Sequence, residues 1–123
     1  MEILEKTFVV APENSAKTVG SGNLEVLATP IMVAWMENTA MTLAASGLND
    51  GETTVGTRLE VNHSKASGIG ETICCKAELT ATEGRKISFK IVATDSNGDI
   101  IGDAIHERFV VNIEKFMSRI AAK

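Results

Sequence analysis

Two residues sit where their types do not fit the pattern around them, and both types move protons. Glu37 is the first. It lies in a run from Ala28 to Gly47 that is apolar on most sides. Its neighbours at three, four and seven residues' distance are Val33, Ala34, Ala40, Met41, Ala44 and Pro30, all apolar. A carboxylate on such a face must be paired, hydrogen-bonded or protonated, because desolvating it alone is costly. His63 is the second. It ends the alternating row Val55, Thr57, Leu59, Val61, which shares one face of a strand. A carboxylate and an imidazole are the groups general acid–base catalysis uses. Structural readings stand beside that one: Glu37 as a rim residue at a subunit contact, His63 as a satisfied core or rim histidine. Gly56, inside the same strand, marks either a bulge or the close approach of a ligand or another backbone.

The run holding Glu37 predicts a helix. Thr29 fits the N-cap and Pro30 the first helical position, where its missing N–H costs nothing. Gly47 fits the residue just past the end, where left-handed backbone is wanted. A rod from Thr29 to Ser46 is roughly 25 Å long at about 1.5 Å per residue. Only Asn38, Thr42 and Ser46 form a polar stripe, so the helix is expected to be buried. Strands are expected at Leu4–Val10, Thr53–Ser64, Thr72–Thr82, Lys86–Asp95 and Ile100–Val111, from their period of two and the turn residues between them. On the last strand His106 and Arg108 share one face, and Ile101, Ile105, Phe109 and Val111 the other. Asn112 fits the cap of a short terminal helix with Ile113, Phe116, Met117 and Ile120 on one side. Residues 11–27 are a long connection containing Pro12, Gly20 and Gly22, read as a binding lid or a solvated linker.

At 123 residues, 44% hydrophobic and 23% charged, the chain is expected to form one domain spanning 1–123. Its net charge of −4 argues against a nucleic-acid partner. No apolar run is long enough to cross a bilayer. Residues 1–8 lack the basic and apolar regions of a signal peptide, so a cytoplasmic place is expected. Cys74 and Cys75 are adjacent and point to opposite sides of a strand, which predicts reduced packing residues. Nothing has the spacing of a zinc site, a P-loop or a dinucleotide fingerprint, and no metal is expected.

One apolar helix followed by long antiparallel strands is an α+β layer architecture. The economical arrangement wraps a five-stranded antiparallel sheet around the long helix: a hot-dog fold. The small residues Ala34, Ala40, Ala44 and Ala45 would let the sheet come close. After the first strand and the helix, the remaining four strands are expected to run as a meander.

The string from Val26 to Glu37 resembles the helix start of the fluoroacetyl-CoA thioesterase-like family of hot-dog proteins. So do Thr53–Thr57, Val61–His63, Gly84–Phe89 and Gly102–Phe109, in order over most of the chain. The resemblance implies thioester hydrolysis carried by Thr29, Glu37 and His63, with substrate contacts at Gly56 and Arg108. It also implies acyl-CoA as substrate and no cofactor beyond that CoA, while the excess apolar surface of the helix predicts a homodimer or dimer of dimers with sites between subunits. Glu37 would activate water or attack the thioester itself; His63 would orient it or protonate the leaving thiolate. Arg58, Lys65, Arg85 and Lys86 are candidates for the CoA phosphates, or plain solvated charges. Residues 11–27 contain no aromatic side chain to close over a small fluorinated acyl group, so a general acyl-CoA thioesterase is expected. A non-catalytic acyl-CoA binder and a hot-dog hydratase or dehydratase are the alternatives.

Overall fold

The computed structural model describes residues 2–122. The chain runs β1 (Ile3–Val9), a one-turn helix α1 (Ala16–Val19), α2 (Thr29–Ala45), β2 (Glu52–His63), β3 (Thr72–Glu83), β4 (Lys86–Thr94), β5 (Ile100–Asn112) and α3 (Ile113–Ala121). The five strands form one antiparallel sheet wrapped on α2, the hot-dog arrangement. Its order is β1-β3-β4-β5-β2. The expected four-strand meander is therefore corrected: β3, β4 and β5 make one, but β2 lies at the far edge beside β5. The chain leaves β1 at one edge, crosses the sheet as α2, and enters β2 at the other. Residues between β2 and β3 then carry it back.

The inner side of α2 presents Met32, Met36, Ala40, Leu43 and Ala44 to Ile73, Ala77, Phe89, Ile91 and Ala93 of the sheet. Each fully buried side chain of this size contributes roughly 1.5–3 kcal/mol. The sheet does come close: a Cβ on Gly102 would lie 2.8 Å from the Met32 sulfur and 2.7 Å from Asn62 O. Ala40 and Ala44 are part of that packing, while Ala34 and Ala45 face out. Thr39 is buried because its hydroxyl donates to Trp35 O at 2.8 Å. The polar stripe is used too, since Lys6 of β1 donates to Asn38 and Thr42.

Both ends of α2 differ from expectation. Ala28, in extended backbone (φ −70°, ψ 136°), is the residue before the helix, and its carbonyl accepts from Ile31 and Met32. Thr29 is the first helical residue and not the cap, which frees its hydroxyl. At the other end Gly47 keeps a negative φ, and its N–H donates to Ala44 O. Asn112 does cap α3, its side chain accepting from Lys115 N at 3.0 Å. Residues 11–27 are anchored at their two ends, while 17–25 between them are exposed. Ser15 caps α1, and bridges join Ser15 to Leu27 and Val26 to Gly68. No helix among the described residues is long and apolar enough to cross a membrane.

Candidate active site

Two groups of polar side chains line up along α2. At its start, Thr29 Oγ1 lies 2.8 Å from His63 Nδ1, joining the first helical residue to the last residue of β2. The other ring nitrogen, Nε2, is buried and has no hydrogen-bond partner among the described residues. Burial holds the His63 pKa below the usual histidine value, with the nearby Lys65 backbone pulling the other way. A cavity of about 280 Å³ opens here, lined by Val26, Leu27, Thr29, His63 and Lys65 among others.

The second group gathers two turns further on. Arg108 of β5 is 5% exposed and faces α2. Its Nη1 lies 3.6 Å from Glu37 Oε2. Its Nε donates to Thr54 Oγ1 at 2.8 Å and its Nη2 to Thr54 O at 3.0 Å. The Glu37 side chain is 40% exposed, so the carboxylate is paired on its inner side and open on its outer side. An open groove of about 280 Å³, lined by Ala34, Glu37, Asn38, Met41 and Arg108, lies over it. Gly56 completes the group. A Cβ there would fall 2.5 Å from Glu37 Oε2, 3.3 Å from His106 Cε1 and 3.4 Å from Arg108 Nη1. The bulge and the close approach are both present. The register between β2 and β5 shifts between Gly56 and Arg58, leaving Thr57 unpaired.

That bulge corrects the expected face of β2. Alternation placed Val55 and Thr57 with Leu59, Val61 and His63. The extra residue turns the strand, so Thr54 and Gly56 face α2 before it and Leu59, Val61 and His63 after it. The structure thus brings Thr29 to His63, and Glu37 to Gly56 and Arg108. Among the described residues no hydrogen bond or ion pair joins Glu37 to His63. Sequence reasoning missed Thr54 and any role for His106. The signal available was the pairing of a histidine and an arginine two apart on one face of β5, with the greasier residues on the other.

The four candidate phosphate ligands all have acidic neighbours. Arg58 pairs with Glu60, and Lys86 with Glu83 at 3.9 Å. Arg85 meets Glu52 at 3.3 Å and donates to Val110 O at 2.9 Å. Lys65 bonds Asp95 at 2.7 Å and Asp99 at 2.8 Å, which raises its pKa above the usual lysine value. Among the described residues no cluster of three or more His, Cys, Asp or Glu is placed to hold a metal ion.

Residues 10–114 match the family model described as fluoroacetyl-CoA-specific thioesterase. The chain belongs to that family. A member, the fluoroacetyl-CoA thioesterase of Streptantibioticus cattleyicolor, is 39% identical over 99 residues, covering 80% of this chain and 70% of that one. A point variant of the fluoroacetyl-CoA-specific thioesterase, solved with fluoroacetate and CoA, superposes with a TM-score of 0.88. It is 36% identical over 94% of this chain and 96% of its own. A Thermus thermophilus hypothetical protein of the thioesterase superfamily superposes at 0.90, with 25% identity over 98% of this chain and 88% of that one. Both groups of polar residues described above lie inside the span that matches the family.

Proposed function

We propose that the chain hydrolyses acyl-CoA thioesters to the free acid and CoA, with Glu37, Thr29 and His63 as its catalytic residues. The observation that carries this reading is the setting of Glu37. A buried arginine holds the carboxylate, a glycine leaves the space in front of it empty, and an open groove admits substrate and water. Glu37 takes a proton from water as the water oxygen attacks the thioester carbon. The carbonyl oxygen gains charge, which N–H and O–H donors facing it stabilise. The carbon–sulfur bond then breaks, and the thiolate leaves with a proton supplied through His63, which Thr29 keeps in place. No group beyond the CoA of the substrate is needed.

Glu37 and the Thr29–His63 pair are eight residues apart on α2, about 12 Å along its axis. We therefore place each site between two copies, Glu37 coming from one protomer and Thr29 with His63 from its partner. Pro30, Val33, Ala34 and Met41 flank Glu37 on the outward side of α2, an apolar stripe that a partner helix would cover. One edge of the 12-residue strand β2 is likewise unpaired among the described residues. The free cysteines Cys74 and Cys75 suit a reducing compartment such as the cytoplasm.

For the acyl group, residues 20–25 are exposed and none is aromatic. Among the described residues no aromatic side chain lines the cavity at Thr29 and His63, which supports small and medium acyl chains in general over fluoroacetyl selectivity. A panel of acyl-CoA esters read with a thiol-detecting dye tests the whole reading. CoA release from several short and medium esters is expected. Tight binding without release would make the protein a binder, and chemistry on the acyl chain without release a hydratase or dehydratase.

Gly56→Ala probes the same geometry. The new methyl must push the Glu37 carboxylate away, since their separation would be 2.5 Å. Its other near neighbours, His106 Cε1 at 3.3 Å and Arg108 Nη1 at 3.4 Å, are side-chain ends that need give only slightly. Turnover is expected to fall about 100-fold, as displacement of a catalytic group by about 1 Å does, with a melting temperature close to that of the parent. Full activity in this variant would show that the carboxylate position is not critical.

A further inference from the structure

Two buried polar side chains that touch Arg108 are left unused by the scheme above: His106, 1% exposed, and Thr54, 5% exposed. Buried polar groups need partners, so where their hydrogen bonds go is informative. His106 Nδ1 lies 2.8 Å from Arg58 O. A carbonyl only accepts, so Nδ1 carries the proton. His106 Nε2 lies 3.1 Å from Arg108 Nη1. A guanidinium only donates, so Nε2 is the acceptor, and the ring is a neutral imidazole of one defined tautomer. Thr54 grips the guanidinium on its other edge through Nε and Nη2. Clamped from both sides, Arg108 points Nη1 at the Glu37 carboxylate.

We infer that His106 is a positioning residue: as a neutral Nδ1–H imidazole it fixes the Arg108 guanidinium, and through it the place of Glu37. The inference rests on the thioesterase reading of Glu37 given above. A protonated ring could not do this work, because Nε2–H would face the N–H of Arg108. The surroundings keep it neutral. Burial is the largest influence and lowers the pKa from the usual histidine value. The Arg58 carbonyl pulls the other way, and the Arg108 charge adds to the lowering. Glu37 from α2 and Glu107 from β5 are the acidic groups that oppose it. Phe89 of β4, its ring 6.0 Å from the imidazole, packs beside it.

The chain has only two histidines, so nitrogen NMR of the imidazoles resolves each ring. The expected spectrum shows His106 as the Nδ1–H tautomer and still neutral somewhat below pH 6.5, where a free histidine is half charged. Kinetics supply the second arm. His106→Phe keeps a flat ring beside Phe89 and removes the acceptor. Its kcat for acyl-CoA hydrolysis is expected to fall about 10- to 100-fold with KM within about two-fold. His106→Gln, whose amide oxygen can accept from Arg108, is expected to recover most of that loss. His106→Leu serves in place of the phenylalanine variant should that one not fold. An Nε2–H tautomer overturns the inference. So does a kcat per folded molecule within about two-fold of the parent in the acceptor-free variant, or a glutamine variant as slow as it. If the parent protein releases CoA from no ester, the thioesterase reading falls, and the tautomer alone decides how Arg108 is held.

Discussion

Glu37→Gln is expected to lower the turnover number by roughly two to four powers of ten, the contribution of a positioned base. The amide keeps the shape of the carboxylate and its contact with Gly56, so KM should change little. Stability should fall only slightly. Arg108 is buried and loses its counter-charge, which alone would be costly. The glutamine oxygen can still accept from Nη1, and Thr54 and His106 keep their bonds to the guanidinium. A net cost of about 1 kcal/mol, or roughly 4 °C in melting temperature, follows. His63→Ala should also cripple turnover. The double variant should lose much less than the product of the two, since groups that act as a unit are not additive. A purely structural Glu37 gives the reverse pattern: a large drop in melting temperature with near-normal turnover of the protein that remains folded. Melting curves and CoA release measured on the same three variants decide between them, and normal turnover in Glu37→Gln ends the assignment.

Local rules carried the elements well, because the information is local. Pro30 marked the start of α2 to within a residue, Asn112 capped α3, and Gly84 (φ 64°) turned the β3–β4 hairpin. Glu37 stood out because the stripe around it was apolar, and the structure supplies the partner that such a carboxylate required. The failures are non-local. Alternation counts residues, so the unpaired Thr57 reversed half of β2 in a way no period can show. On β5 the greasier side, with Ile105 and Phe109, faces out, and the side with His106 and Arg108 faces the helix. Hydropathy alone argues for the opposite. The arrangement holds because Thr54, Glu37 and the Arg58 carbonyl meet those polar groups, and these come from residues some fifty or seventy positions earlier. Pairing of β2 with β5 and not β3 is likewise a contact of high sequence separation. Thr29 and His63, 34 apart in the chain, came together in the reading only through resemblance to the family; spacing could not have joined them.

Mixed dimers made from a Glu37→Gln chain and a His63→Ala chain should regain activity that neither variant has alone. The reason is geometric. Thr29 meets His63 and Glu37 meets Gly56, so α2 and β2 run in opposite directions past one another. A two-fold axis passing α2 at Val33 would set Thr29 of one copy beside Glu37 of the other. The same axis, crossing the middle of β2, would bring Gly56 toward the partner's half of the strand that ends in His63. A symmetric dimer would have to satisfy helix and strand with one such axis. In a mixed dimer one site then carries both substitutions and the other carries neither. Two different affinity tags isolate the mixed species, and its turnover per dimer should be about half that of the parent, since one of its two sites is intact. If each chain held a whole site, both sites of the mixed dimer would be damaged and turnover would stay at the background of the single variants. Light scattering on the parent protein should report a dimer or a dimer of dimers, and an active monomer at micromolar concentration would remove the shared site altogether.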